Sequence, residues 1–210
     1  MKRCLRRLGF TFRRARRVPP KAPPEPEQAR VRRTLSRLHC LEAAGRCQVL
    51  YGDESGFCLS PPVPYLWQKK GQTVGLPAQA HSRRLSVLGL MSRAGQLHSF
   101  PTQDKVTAQH LINSIETLLP ASVPIVVVLD NASVHRAKGV REKQAEWKQK
   151  GLRLLFLPPY CPHLNKIEVL WRQIKYRWLS PEAYADFPTL CQSVTDILTQ
   201  AGAKYSLSFV

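Results

Sequence analysis

The segment Ile125-Val126-Val127-Val128-Leu129 has no polar position and ends on Asp130. A strand with one face in solvent alternates apolar and polar side chains. An unbroken apolar run therefore predicts a strand covered on both faces, as in a parallel or mixed sheet with helices packed against it. The edge just past such a strand is where α/β proteins place ligand chemistry. Asp130 and Asn131 also suit the start of an ordinary turn, so this position alone leaves two readings open.

The pattern on either side supplies the other elements. "CQVLYGDESGFCL" and "PYLWQKKGQ" read as strands, and "RRLSVLGLMSRAGQLHSF" as a hairpin-like third bent at Ala94-Gly95. In "TAQHLINSIETLLP", Leu111, Ile112, Ile115, Leu118 and Leu119 form one helical stripe, which Pro120 ends. The strand at 125–129 is followed by a basic helical stretch, "RAKGVREKQAEWKQKG", and a further strand, "LRLLFLP". A long helix then starts at Asn165, with Ile167, Leu170, Trp171, Ile174 and Trp178 as its buried stripe, and a short helix around "TLCQSVTDILTQA" closes the chain. Three strands, helix, strand, helix, strand, helix is the order of an α/β ribonuclease-H-like (retroviral-integrase-like) fold, a mixed sheet flanked by helices.

Charge adds a partner. The chain carries 32 Lys and Arg against 14 Asp and Glu, a formal +18, which favours a polyanion and most simply nucleic acid. Residues 1–40 hold +11 of it. Within that arm "VPPKAPPEPEQ" reads as an extended linker and "EQARVRRTLSRLHCLEAA" as a helix with an Arg-rich face. The division expected is a basic, Pro-rich arm at 1–45 and a catalytic domain at 46–210. Arg13, Arg14, Arg16 and Arg17 in the arm, and Lys69 and Lys70 in the domain, are the candidate phosphate contacts. The six cysteines form no C-x-x-C pair and read as reduced thiols. No apolar run approaches the roughly 20 residues of a membrane span, and no apolar segment follows the N-terminal charges as in a secretory signal. The expectation is a cytoplasmic, nucleoid-associated protein with no membrane partner and no small-molecule substrate.

Three acidic residues fall where element ends converge in such a sheet: Asp53 in the first strand, Asp130 after the 125–129 strand, and Glu168 in the first turn of the long helix. Carboxylates meeting without a counter-charge repel and hold protons. Hard divalent cations such as Mg²⁺ or Mn²⁺ take oxygen ligands and remove that conflict, and a pair of them serves phosphodiester displacement. Neighbours on a strand point to opposite faces, so only one of Asp53 and Glu54 enters a shared site. Glu168 also stands three residues after Asn165, as in a helix-start capping arrangement. His135 has two readings, a group that assists proton transfer or a structural histidine after a strand, and it stays outside the site.

"YGDESGF", "VVLDNASVHRAK" and "LPPYCPHLNKIEVLWRQIK" resemble, in order and spacing, the three signature blocks of the Asp-Asp-Glu (DDE) transposases of the mariner superfamily, bacterial insertion-sequence branch. The resemblance runs from about Gln48 to Trp178. It implies a catalytic, metal-binding triad of Asp53, Asp130 and Glu168, two Mg²⁺ (or Mn²⁺) ions, and DNA as partner, both transposon ends and target, with a homodimer assembled on it. The implied reaction is hydrolysis at transposon ends and strand transfer into target DNA at TA sites. Cys161, His163 and Lys166 depart from the family's Ser, Asp and Pro in the third block, none at a triad position. The family carries a helix-turn-helix region ahead of this arm, so the resemblance implies a truncated copy or one product of a split reading frame. A catalytically silent DNA-binding remnant, and a ribonuclease-H-like nuclease without strand transfer, are the rival functions.

Overall fold

A computed structural model describes residues 2–8, 23–60, 62, 69–71, 75, 83–205 and 207. After a short helix α1 (Lys2–Arg7) and a long helix α2 (Glu25–Ala43), the chain forms β1 (Gln48–Cys58), β2 (Arg84–Ser92) and β3 (Leu97–Thr102). Then come α3 (Ala108–Glu116), β4 (Ile125–Leu129), α4 (Lys138–Gln149), β5 (Leu152–Phe156), α5 (Ile167–Gln173) and α6 (Phe187–Thr199). The sheet order is β3-β2-β1-β4-β5; β1 pairs antiparallel with β2 and parallel with β4, and β5 runs parallel to β4. This is the mixed, helix-flanked sheet expected.

Two of the first three strands differ from expectation. The hairpin segment supplies both β2 and β3, paired from Ser86↔Thr102 to Met91↔Leu97, with Gly95 at φ 88° in the bend. Most of "PYLWQKKGQ" lies outside the described residues, as do Arg13, Arg14, Arg16 and Arg17; Lys69 and Lys70, which are described, are exposed and not in a strand.

The unbroken apolar run is covered on both faces. Val128 packs into a cluster with Val49, Tyr51, Val87, Met91 and residues of α5 and α6, while Val127 and Leu129 pack opposite with Leu50, Leu88, Leu90, α3 and α4. Successive strand residues alternate between these clusters, as the pleat requires. Each core-facing side chain of about this size contributes roughly 1.5–3 kcal/mol when fully buried, so both layers are needed to hold the sheet.

Within the basic arm α2 is packed, not free. Leu35 is buried in the first cluster, and Glu42 Oε1 accepts the Val49 N–H at 2.9 Å. Its solvent face carries Arg30, Arg33 and Arg37, all exposed.

The long helix predicted from Asn165 is assembled from three pieces: a 3₁₀ turn (Pro162–Leu164), α5, and a π-helical turn (Ile174–Trp178). Ile167, Leu170, Trp171 and Ile174 are buried as its stripe required, and Trp178 packs on Tyr205 with ring centroids 4.9 Å apart. Where α5 crosses the sheet it meets Gly89. A Cβ there would stand 2.8 Å from Trp171 Cη2 and 2.9 Å from Ile167 Cδ1, so the missing side chain sets how closely the helix approaches β2. All six cysteines are free.

Candidate active site

The parallel pairing of β1 with β4 carries Tyr51 beside Val128, and Asp53 and Asp130 each lie two residues further on. Both carboxylates are thus delivered to one level at the end of the sheet. Asp53 is also paired with Gly89 in the antiparallel register. The short β4 ends before Asp130, which starts the loop toward α4. Glu168 comes from the first turn of α5, held against β1 and β2 by Ile167 and Trp171. Asp53, Asp130 and Glu168 line one cleft of about 460 Å³, closed by Asn165 and by the loop from Leu157 to Pro162. Lys69 and Lys70 do not line it.

Alternation along β1 separates Asp53 from Glu54. Asp53 lies on the α5 side and accepts a hydrogen bond on Oδ2 from Trp171 Nε1 at 3.1 Å. Glu54 lies on the α4 side, where its Oε1 accepts from His135 Nε2 at 2.8 Å. The other ring nitrogen of His135, Nδ1, is 2.7 Å from Asp130 Oδ1, and the imidazole is fully buried. Asp130 Oδ1 also accepts the Ala132 N–H at 2.9 Å. His135 therefore bridges Glu54 to Asp130, which gives a reason for a buried histidine that the sequence left open between proton transfer and structure.

The capping arrangement between Asn165 and Glu168 is not formed. Asn165 is buried, and its Nδ2 donates across the molecule to the Gly52 carbonyl at 2.9 Å, tying the approach to α5 to the residue before Asp53. The Glu168 carboxylate makes no hydrogen bond or ion pair among the described residues and is exposed to the cleft.

The electrostatics follow. Burial first, then the charges of Glu168 and Glu54, push Asp53 up to about 7. Glu168 is also raised, mainly by burial, with Lys175 opposing. The His135 hydrogen bond holds Asp130 below its ordinary range against its burial. Burial disfavours the His135 cation, but its bonds to Asp130 and Glu54 outweigh that and raise it to about 10, so both ring nitrogens donate at neutral pH. Burial lowers Lys175, with Arg84 in the same direction. Four carboxylates thus face two cations, His135 and Lys175, and the deficit falls on Asp53 and Glu168. A divalent cation has the charge and the preference for oxygen to fill it. Among the described residues no three of His, Cys, Asp and Glu are already drawn into a metal-binding cluster.

Sequence reasoning missed Trp171, Glu54 and His135 as supports of the acidic residues. Trp171 had a signal, standing one helical turn after Glu168. The Glu54–His135 contact spans 81 positions and had none.

Known proteins resemble this chain in sequence and in fold. The family model described as DDE superfamily endonuclease matches residues 48–191. A Shigella sonnei protein, the insertion element IS630 uncharacterized 39 kDa protein, is 25% identical over 137 residues, covering 63% of this chain and 39% of that protein. The Mos1 mariner paired end complex with Mn is similar in fold, with TM-score 0.59 at 18% identity over 94% of this chain and 62% of that one. The catalytic domain of Mos1 mariner transposase gives TM-score 0.52 at 16% identity over 87% of this chain and 85% of that one. The chain thus spans well under two thirds of the length of the insertion element protein, and slightly under two thirds of the chain in the Mn complex.

Proposed function

The chain belongs to the DDE superfamily of endonucleases, and from that premise we propose that it is a metal-dependent DNA transposase that hydrolyses phosphodiesters at transposon ends and transfers the strand into target DNA. The observation that carries the reading is the meeting of Asp53, Asp130 and Glu168, from three separate elements, in one cleft with a deficit of positive charge. Residues 46–210 are the catalytic unit in this proposal and residues 1–45 the basic arm. TA target sites and a homodimer assembled on DNA belong to it as well.

Asp53, Asp130 and Glu168 would hold Mg²⁺ or Mn²⁺, two ions in the full site; their all-oxygen donor set fits these cations, which supply Lewis acidity at the phosphoryl oxygens and a lowered pKa for bound water. The protein's own groups position and neutralise. Trp171 fixes the rotamer of Asp53, and His135, itself held by Glu54, fixes that of Asp130. His135 keeps Asp130 ionised, so a ligand is charged before any cation arrives. Lys175, on the π-helical turn, lines a hollow with Glu168 and balances the acidic cleft. Such preorganised charge is worth more in a cleft that excludes water than in bulk solvent. DNA as partner is supported by the +18 charge and by the exposed Arg30, Arg33 and Arg37 stripe on α2.

The test is cleavage of DNA carrying the element's ends with Mg²⁺, comparing the native chain with Asp130→Asn. Cleavage confined to the native chain is expected, and joined strand products then separate transposition from cutting alone. Equal cleavage by both, or none by either, refutes the enzymatic reading.

A further inference from the structure

Beside the catalytic cleft lies a second hollow of about 400 Å³, and the two share Asn131, Leu157, Pro158 and Pro159. Its floor is apolar, including the half-buried Phe156, and Arg136 and Arg141 stand exposed on its rim. Arg136 Nη1 donates to Asn131 Oδ1 at 3.0 Å, which ties the guanidinium to the residue after Asp130. Neither arginine is in an ion pair among the described residues. Along and just past α4, by contrast, Lys138, Lys143 and Lys150 are matched by Glu142, Glu116 and Glu146. Glu27, from α2, is the acid on the hollow's wall.

We propose that this hollow binds the nucleotide next to the scissile phosphate, with Arg136 and Arg141 taking its phosphate and Phe156 and Pro159 lying against its sugar and base. The proposal rests on reading the neighbouring cleft as a DNA-cutting site. A guanidinium fork matches phosphate oxygens in pairs. Contact of ring and apolar surfaces with a base face is indifferent to sequence. The Asn131 tether holds this phosphate position at a fixed offset from Asp130, so gripping the neighbour aligns the phosphate to be cut.

The experiment measures binding of labelled duplex and single-stranded DNA in EDTA across a salt series, in the Asp130→Asn background so that nothing is cut. Each phosphate contact contributes about 0.7 to the log–log salt slope on a single strand and about 0.9 on duplex. Arg136→Gln with Arg141→Gln is expected to flatten the slope by about 0.7–0.9, the share of the one phosphate they take, while the ion-paired control Lys138→Gln with Lys150→Gln leaves it unchanged. If the glutamine pair unfolds, Arg136→Lys with Arg141→Lys replaces it, expected to keep the slope and weaken binding. Methylphosphonates at successive positions around the mapped cleavage point then locate the contact. The one adjoining that point is expected to weaken binding only when both arginines are present. An unchanged slope in the glutamine pair, unweakened binding in the lysine pair, or methylphosphonate penalties independent of the arginines overturns the assignment. Absence of Mg²⁺-dependent cleavage by the native chain is read without these variants and overturns the underlying enzymatic reading instead.

Discussion

Replacing Asp53 with Asn should stabilise the cation-free protein while removing its response to Mg²⁺. The folded chain raises Asp53 from 3.8 to about 7 through burial and the charges of Glu168 and Glu54. At about 1.4 kcal/mol per unit, that shift caps the cost of ionising Asp53 in the folded state at about 4 kcal/mol. Asp53 is not fully enclosed, and screening by solvent reduces the figure to about 2 kcal/mol. The sign follows from proton binding. Between pH 3.8 and about 7 the folded state holds the proton more tightly than the unfolded chain, so stability falls as pH rises through this window and is flat above it. Asn cannot ionise, and its carbonyl oxygen still accepts the Trp171 Nε1 hydrogen bond.

In EDTA at pH 8, Asp53→Asn should therefore melt about 4–8 °C above the native chain, at about 2–4 °C per kcal/mol for a domain of this size. The gain should shrink toward zero near pH 4. Excess Mg²⁺ should reverse the order, since a ligand at about 100 times its Kd adds about 2.7 kcal/mol to a chain that binds it and nothing to one that does not. Thermal melts of both proteins at two pH values, with and without Mg²⁺, decide the matter. A variant no more stable than the native chain at pH 8 refutes the charge-deficit argument, and so does an equal gain at both pH values.

The remaining expectations concern the supports of the cleft. Glu168→Gln should leave stability within about 0.5 kcal/mol, since its carboxylate makes no hydrogen bond or ion pair among the described residues, yet reduce Mg²⁺-dependent cleavage to background. His135→Ala leaves Glu54 and Asp130 without their shared donor and should weaken Mn²⁺ binding about 10–100-fold, read by titration of the ion's magnetic resonance signal. Gly89→Ala drives a methyl group into Trp171 and Ile167 and should cost about 1–3 kcal/mol in urea unfolding. Gly139→Ala, whose Cβ meets only Ile112 Cδ1 at 3.5 Å, should instead be neutral or gain up to about 1 kcal/mol.

The legible parts of the fold were those written in local periodicity. The unbroken 125–129 run required cover on both sides, and Val128 and Val127 pack into opposite clusters. The stripe of Ile167, Leu170, Trp171 and Ile174 is buried as its spacing demanded. The helix break into 3₁₀, α and π pieces was not legible. The separation of the 3₁₀ turn from α5 falls at Asn165, whose side chain turns inward to the Gly52 carbonyl, a contact across 113 positions. The hairpin was legible as a bend, but its division into two strands was not, because β2 is buried from Leu85 to Ser92, its serines included, and gives no in-and-out alternation to mark where one strand ends. Asp53 and Glu54 could be placed on opposite faces by the pleat alone. That Glu54 reaches Asp130 through His135 is visible only once α4 is laid against the sheet.

The three acidic residues are not held alike. Asp53 is fixed by Trp171 and Asp130 by His135 and the Ala132 N–H, one in a strand and one just past a strand end, whereas Glu168 has no hydrogen-bonded or ion-paired side chain among the described residues. Its position depends on where the first turn of α5 lies, and that is set by contacts remote from the carboxylate: the bare surface at Gly89, the Asn165 bond to Gly52, and Trp171 packed on Phe57 at 6.4 Å between ring centroids. Trp171 takes part in both arrangements, holding Asp53 through its indole N–H and seating α5 through its ring. Trp171→Phe keeps most of the ring and deletes the donor, so it separates these roles. Stability should fall by about 1 kcal/mol, the usual net worth of one hydrogen bond, while the Mg²⁺ concentration needed for half-maximal cleavage rises. A rise in that concentration without loss of stability would place the effect on Asp53 orientation alone. Loss of stability with unchanged Mg²⁺ dependence would show that the seating of α5 is what matters and would refute a role for the N–H in orienting the ligand.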